Sequence, residues 1–331
     1  MRNFRPSLVA GAIALALCTG TASAQFSSTY IFGDSLSDAG QYGSRYTTNP
    51  GLTSPMYVGQ NFGFVSTPSF TGGNDFAQGG ALVNGQQTGL PPGVPNLSIA
   101  QQVNSLIAKG PLDPNALYQI QGGGNNALTL VPQYLQGQIT QAQLQAGLAQ
   151  AAVDLAAQVG KLNAAGAQYV VLQNLPDLGK SPYAISLGQQ AAVSQLIGLA
   201  FNTPLNSAVG AANLRVIQFD TFKFQNEIVA NAAAFGFVNV TQQVCTTASS
   251  LQCTPATLKA PDGNMTWFWA DTVHPTTGAQ LLVAQAVESM IEGPMQMAAL
   301  GDAPMGVERA NWRAIDGRMM AGIDRPATSA T

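Results

Sequence analysis

At 331 residues the chain exceeds the common single-domain size but suits one α/β domain with long loops. Hydrophobic residues make up 46% and charged residues only 9%, so core material is ample and the surface must rely on Gln, Asn, Ser and Thr. The formal net charge of −3 comes without a basic stripe, which argues against nucleic acid as a partner, and no stretch after residue 24 is long and apolar enough to cross a bilayer.

Residues 1–24 read as a secretion signal. Arg2 and Arg5 form the positive start, Leu8 to Leu17 the apolar centre, and Ala22-Ser23-Ala24 a small-residue cleavage site, so the mature chain is expected to begin at Gln25. The rival reading is a lipoprotein acylated at Cys18, but Leu17 stands where a small residue would be expected. Without the leader, eleven basic residues face sixteen acidic ones, a formal charge of −5. The expected location is outside the cytoplasm: secreted, on the cell surface, or periplasmic.

Tyr30-Ile31-Phe32-Gly33-Asp34-Ser35 is a short apolar run that ends in a glycine and turns polar, predicting a buried strand, a tight turn and the start of a helix. Ser35 would sit at the mouth of a sheet among unpaired helix amides, where a nucleophile belongs. A serine nucleophile needs a base. The chain contains one histidine, His274, so any serine–histidine pair has its base identified, and Asp271, three residues earlier in a turn, can reach back to an imidazole nitrogen.

Residues 41–75 hold no helical period and read as a long excursion over the active edge of the sheet. Tyr46, Met56, Tyr57, Phe62, Phe64 and Phe70 could line an acyl pocket there, or merely pin the loop to the core. In Gln78-Gly79-Gly80-Ala81 the glycine pair can bring a backbone N–H close to a ligand, although most such pairs are turns. Residues 84–96 continue as loop with Pro91, Pro92 and Pro95, and Ser98 is placed to cap a helix reaching about Ala108. Asn115 to Gln121 reads as a strand that leads into Gly122-Gly123-Gly124-Asn125-Asn126. That order places an amide at the end of the strand, either an oxyanion donor or an Asn turn.

Ile139 to Ala165 carries Leu144, Leu148, Ala152, Leu155, Val159 and Leu162 near helical spacing and predicts one long amphipathic helix. Gln168 to Gln173 reads as a buried strand, followed by a loop at the same edge. Ile185 to Ala212 reads as helical with a kink or break at Pro204, Leu214 to Phe219 as a strand, and Asp220 as the start of a helix to about Ala234. From Phe235 to Trp269 the pattern is loop. Cys245 and Cys253, with seven residues between them in an exported chain, suggest one local disulfide worth roughly 2–3 kcal/mol at most, with two free thiols as the alternative and metal binding a weaker one. Trp267, Phe268 and Trp269 precede the Asp271–His274 turn and either shield it from water, contact substrate or simply pack. Thr276 or Thr277 would cap a last helix over 278–291, and residues 293–331 read as a tail or linker, weakly helical around Val307 to Met320.

Alternating strands and helices favour a three-layer α/β/α fold around a mostly parallel sheet, with the ligand crevice at the carboxyl ends of the strands. Ser35, Gly80 and Asn125 would converge on that edge, with His274 arriving from a late loop. This pattern resembles the GDSL-type, or SGNH, family of serine esterases and lipases. Phe32-Gly33-Asp34-Ser35-Leu36-Ser37-Asp38, Phe76-Ala77-Gln78-Gly79-Gly80-Ala81, Gly123-Gly124-Asn125-Asn126 and Asp271-Thr272-Val273-His274-Pro275 carry the resemblance over roughly residues 28–292, so the hydrolase domain is expected over 25–292. The chain is similar to the secreted bacterial branch that includes autotransporter esterases and lysophospholipase-like enzymes.

The resemblance implies an SGNH hydrolase-like, flavodoxin-like fold, with Ser35 as nucleophile, His274 as base and then acid, and Asp271 as its orienter. The Ser35 N–H, the Gly80 N–H and the Asn125 side chain would form the oxyanion hole. One departure is Asn126 where the family usually has Asp, which implies altered hydrogen bonding. Asp34 and Asp38 read as structural, bonding to turn amides. The expected activity is hydrolysis of acyl esters through an acyl-serine, with no metal and no cofactor. The expected partner is an acyl ester or lipid substrate, with transient contact at lipid surfaces. The alternatives are a lysophospholipase or acyltransferase, a carbohydrate deacetylase, and a lipid- or carbohydrate-binding surface module with vestigial chemistry.

Overall fold

The computed structural model describes residues 25–86, 95–293 and Trp312. The leader with Cys18, Pro91, Pro92 and the tail other than Gly293 and Trp312 lie outside the described residues.

The chain enters through strand β1 (Thr29–Phe32). Helix α1 (Ser54–Asn61) follows inside the stretch expected to be irregular. It was hidden by its Pro and Gly and its lack of a side-chain cap; Met56 and Val58 bury beneath it. Helix α2 (Ile99–Ile107) starts at Ser98 with a reciprocal Ser98–Gln101 capping box, as expected. Strand β2 (Leu117–Gln121) leads directly into α3 (Gly124–Leu135). The long amphipathic helix α4 (Gln141–Ala164) carries a second capping box, Thr140–Gln143, and buries Leu144, Leu148, Leu155, Val159 and Leu162. Each such side chain contributes about 1.5–3 kcal/mol of burial free energy.

After strand β3 (Tyr169–Gln173) the expected single helical region divides into α5 (Pro182–Ser186), α6 (Gln190–Leu196) and α7 (Thr203–Ala211). Gly188, at φ +65°, makes the first break. The second element widens into a π-helical turn, Ile197–Asn202, because Pro204 has no N–H to offer the Ala200 carbonyl. Strand β4 (Ile217–Phe219) is shorter than expected, and Asp220 caps α8 (Thr221–Ala230), which ends four residues early. The region read as loop contains β5 (Asn239–Gln243), the single turn α9 (Gly263–Thr266) and β6 (Trp267–Trp269). The polar β5 has no apolar alternation to announce it. A final helix, α10, covers 277–293 and begins at Thr276, whose hydroxyl receives the Ala279 N–H.

Strands β1 to β4 pair in sequence order, all parallel, and Asp75 extends the sheet beyond β1 through a parallel bridge to Ile31. Alternation along the strands builds two cores. Tyr118, Ile120, Val170 and Leu172 face Leu148, Leu155 and Phe201 on one side. Leu117, Val171 and Phe219 face Val58, Ala284 and Val287 on the other. The result is the expected three-layer α/β/α arrangement, with β5 and β6 as a separate parallel pair.

Candidate active site

The carboxyl end of β1 is held from two sides. The Gly33 N–H donates to Gln102 Oε1 and the Gly33 carbonyl accepts from Gln102 Nε2, both at 2.9 Å. A Cβ on Gly33 would lie 2.8 Å from Gln121 Nε2 and 3.0 Å from the Gln121 carbonyl, so glycine permits the close approach of the β1 and β2 ends. The expected helix after Ser35 does not form. Residues 34–37 make one turn, closed by the Ser37 and Asp38 N–H groups on the Asp34 carbonyl. The Asp38 carboxylate then captures the Gly40 and Gln41 N–H groups at 2.7 Å and diverts the chain. Asp34 accepts from Gln121 and from the Leu36 N–H, so both aspartates serve the turn, as expected.

Ser35 is almost covered, and its Oγ lies 2.9 Å from His274 Nε2. His274 Nδ1 is 2.8 and 2.9 Å from the two oxygens of Asp271. Asp271 also accepts the Ser250 N–H at 2.8 Å, the Val273 N–H at 3.0 Å and the His274 N–H at 2.9 Å. Burial alone would push this carboxyl up, but the His274 charge and these donors outweigh it and hold Asp271 well below the usual carboxylate range. An ionised Asp271 accepts a hydrogen bond from the Nδ1–H and so keeps the proton on that nitrogen, which leaves Nε2 free to accept from Ser35. The turn that carries both residues is tight: the Ala270 N–H donates to the His274 carbonyl and Trp269 bridges to Pro275. Phe268 and Trp269 are buried packing residues, with Trp269 Nε1 donating to the Val240 carbonyl.

Of the six side chains weighed for an acyl pocket, Tyr46 reaches the site, its ring centroid 4.9 Å from that of His274. Met56 joins a small core beside β1, and Tyr57, Phe62 and Phe64 pack against the core containing Leu117, so these four pin the excursion, while Phe70 sits half-buried in the short turn Ser69–Thr71.

The second motif is tied to the first. Asp38 Oδ2 accepts the Gly79 N–H at 2.8 Å, and Gly80 follows at φ +81°. Among the described residues, neither the Ser35 nor the Gly80 N–H donates to a protein acceptor. Asn125 sits in the first turn of α3 and donates through Nδ2 to the Ala81 carbonyl at 3.1 Å, leaving its second N–H hydrogen for another acceptor. Asn126 accepts the Val83 N–H at 3.1 Å through Oδ1, a bond that a carboxylate could equally accept.

Cys245 and Cys253 are joined, with their Cα atoms 5.7 Å apart. The loop they close contains Ser250, the donor to Asp271, and Asn49 braces it through Nδ2 to the Ser250 carbonyl at 3.0 Å. Sequence reasoning did not find Ser250 or Asn49, because Ser250 acts through its backbone and the two contacts span 21 and 201 residues. Among the described residues no cluster of three or more His, Cys, Asp or Glu side chains could hold a metal ion.

Fold and geometry define a class: a parallel α/β protein carrying the Ser–His–Asp constellation of a serine hydrolase. The chain belongs to the GDSL-like lipase/acylhydrolase family, whose family model matches residues 30–287. Esterase EstA of Pseudomonas aeruginosa is 32% identical over 92% of this chain and 53% of its own length. Lipase 1 of Photorhabdus luminescens is 23% identical over 93% of this chain and 57% of its own. The chain thus spans about half the length of these relatives. A solved lipolytic G-D-S-L family protein from Veillonella parvula aligns with 80% of this chain and 96% of its own at 14% identity, with a TM-score of 0.41.

Proposed function

We propose that this chain is an exported serine esterase that hydrolyses acyl esters through an acyl-serine intermediate. What supports the reading above all is the unbroken line of contacts from Ser35 Oγ to His274 Nε2 and from His274 Nδ1 to Asp271. Ser35 attacks the ester carbonyl as His274 takes its proton, and Asp271 stabilises the imidazolium that forms. The Ser35 N–H, the Gly80 N–H and the free hydrogen of Asn125 receive the oxyanion. Each is worth roughly 3–4 kcal/mol of barrier on the scale of single-donor deletions. His274 then protonates the leaving alcohol, and water repeats the cycle to release the acid. Export is supported by the leader pattern of residues 1–24 and by the cysteine pair.

The test is the initial hydrolysis rate on p-nitrophenyl esters from acetyl to palmitoyl, comparing the protein from Gln25 with Ser35→Ala. Turnover that disappears in the variant supports the reading. Equal rates in both, or none in either alongside ligand binding, would overturn it and favour a binding module. Activity confined to acetyl esters would indicate a deacetylase, and acylated products formed with an added acceptor alcohol a transferase.

A further inference from the structure

The loop 45–51 has no helix or strand to stiffen it, yet it is closed on itself. The Arg45 N–H donates to Asn49 Oδ1 at 3.1 Å, and Asn49 Nδ2 donates back to the Arg45 carbonyl at 2.9 Å. The Arg45 guanidinium donates to the Gly51 and Pro50 carbonyls at 2.6 and 2.7 Å, and the Gly51 N–H meets the Thr48 carbonyl at 3.0 Å. A short loop packed by its own side chains in this way moves as one piece.

Three consecutive residues of that loop grip the mounting of His274 and Asp271. Thr47, fully buried, donates through Oγ1 to the carbonyl of Pro275, the residue after His274, at 3.0 Å. Thr48 Oγ1 accepts the Thr277 N–H at 3.0 Å, and the Thr277 hydroxyl donates to the Thr48 carbonyl at 2.8 Å, which fixes the start of α10. Asn49 donates through Nδ2 to the Ser250 carbonyl at 3.0 Å and through its own N–H to the Cys253 carbonyl at 3.1 Å. It thereby holds the loop whose Ser250 N–H meets Asp271. The catalytic turn is held beyond His274 by Thr47 and Thr48, and behind Asp271 by Asn49 acting through Ser250.

Building on the esterase reading, we infer that Thr47 and Asn49 are positioning residues: through the backbone carbonyls of Pro275 and Ser250 they keep His274 and Asp271 within reach of Ser35. Ser35 and His274 are 239 residues apart in the chain, so their separation must be set by contacts between their mounts. The loop supplies them, because it is tied to the nucleophile as well. Thr53, two residues beyond it, donates through Oγ1 to the Ser37 carbonyl at 3.2 Å. One brace therefore spans from the Ser35 turn to the His274 turn. Proton transfer needs Nε2 hydrogen-bonded to the serine, and such a pair works only when held within roughly 0.5 Å of its productive geometry. Loosening the brace lengthens the Ser35–His274 contact and leaves the contacts of the ester in place, so it lowers kcat and spares KM.

The experiment follows p-nitrophenol release from an uncharged p-nitrophenyl phosphonate ester, well below Tm. Ser35 displaces p-nitrophenolate from phosphorus once per site, so the amplitude counts competent sites and the rate constant reports activation of the serine. Thr47→Val keeps the shape and removes the hydroxyl. It should slow the reaction roughly tenfold at full amplitude, with kcat on p-nitrophenyl butanoate falling equally and KM held within about twofold. Thr47→Ser keeps the hydroxyl and should restore the rate. Asn49→Ser draws the donor back from the Ser250 carbonyl and should slow the reaction similarly; half-buried, it carries the test where Thr47→Val does not fold. A variant that is only less stable loses amplitude and keeps its rate constant. For either residue that result, wild-type kinetics, or a raised KM at unchanged kcat overturns the assignment and leaves the Ser35 mechanism intact. No reaction of the wild type with the phosphonate, and no turnover on any ester, overturns the mechanism and the brace with it.

Discussion

Asp38 Oδ2 accepts the Gly79 N–H at 2.8 Å, and through this bond the turn that holds Ser35 also sets the position of Gly80. Asp38 Oδ1 simultaneously receives Gly40 and Gln41. One carboxylate therefore fixes the spacing between nucleophile and backbone donor. An amide in its place can accept at one atom only and turns an N–H toward that of Gly79. We expect Asp38→Asn to lower kcat on the order of 100-fold, the scale of a misplaced donor, with KM little changed.

The same residue makes a prediction about pH. Burial pushes the Asp38 carboxyl up from 3.8 to about 6. Its folded state thus prefers the protonated form, so its contribution to stability is fully present below the unfolded value and is lost as pH rises through about 6. Asp38→Asn has no such titration. The Tm of the variant minus that of the wild type should therefore rise between pH 4 and 6 and level off above; a flat difference would refute the assignment.

Asp271 is the opposite case. Its carboxyl lies below the usual range when folded, so its stabilising contribution is present above the unfolded value and lost only as pH falls toward the folded one. It stays ionised wherever the enzyme works. Asp271→Asn should reduce kcat by roughly 10⁴ through loss of the correct imidazole tautomer. Mono-exponential phosphonylation of Ser35 by an active-site phosphonate ester, slowed to the same degree, would confirm that the defect lies in activating Ser35.

Reduction of the Cys245–Cys253 bond releases the loop that presents the Ser250 N–H to Asp271. We expect the Cys245→Ser/Cys253→Ser protein to lose roughly 2–3 kcal/mol of stability on the chain-entropy model. kcat should fall as well, measured well below the lowered Tm, because Asp271 loses one of its donors. Unchanged kcat with lowered Tm would limit the bond to a stabilising role.

The Tyr46 ring lies against the His274 ring, tilted by 37°, and a Cβ on Gly79 would meet the Tyr46 ring at 2.2 Å. Tyr46→Ala should cost roughly tenfold in kcat by loosening the imidazole, whereas Tyr46→Phe keeps the ring and should stay close to wild type.

The reach of sequence reasoning follows the range of the interactions. Ser98 announces its helix because a cap is written within four residues, and Gln141–Ala164 was legible from apolar residues at helical spacing. Asp271 and His274 were legible for the same reason, three residues apart beside the only imidazole. Ser250 acts through its backbone N–H and carbonyl, and Asn49 reaches it from 201 residues away, so no local pattern marks either. The helix expected after Ser35 failed because Asp34 and Asp38 compete for the very amides a helix would use. The helix Ser54–Asn61 was missed because Pro55 and Gly59 mask a segment made stable by what it covers.

His274 touches three parts of the site at once: Ser35 on one nitrogen, Asp271 on the other, and the tilted Tyr46 ring. Because it is the single histidine in the chain, its two ring-carbon protons stand alone in the imidazole region of an NMR spectrum. Unlabelled protein therefore carries its own assigned probe. Substrate arrival, acylation of Ser35 and opening of the Cys245–Cys253 loop can each be followed at one resonance, without a reporter group that would disturb the pocket.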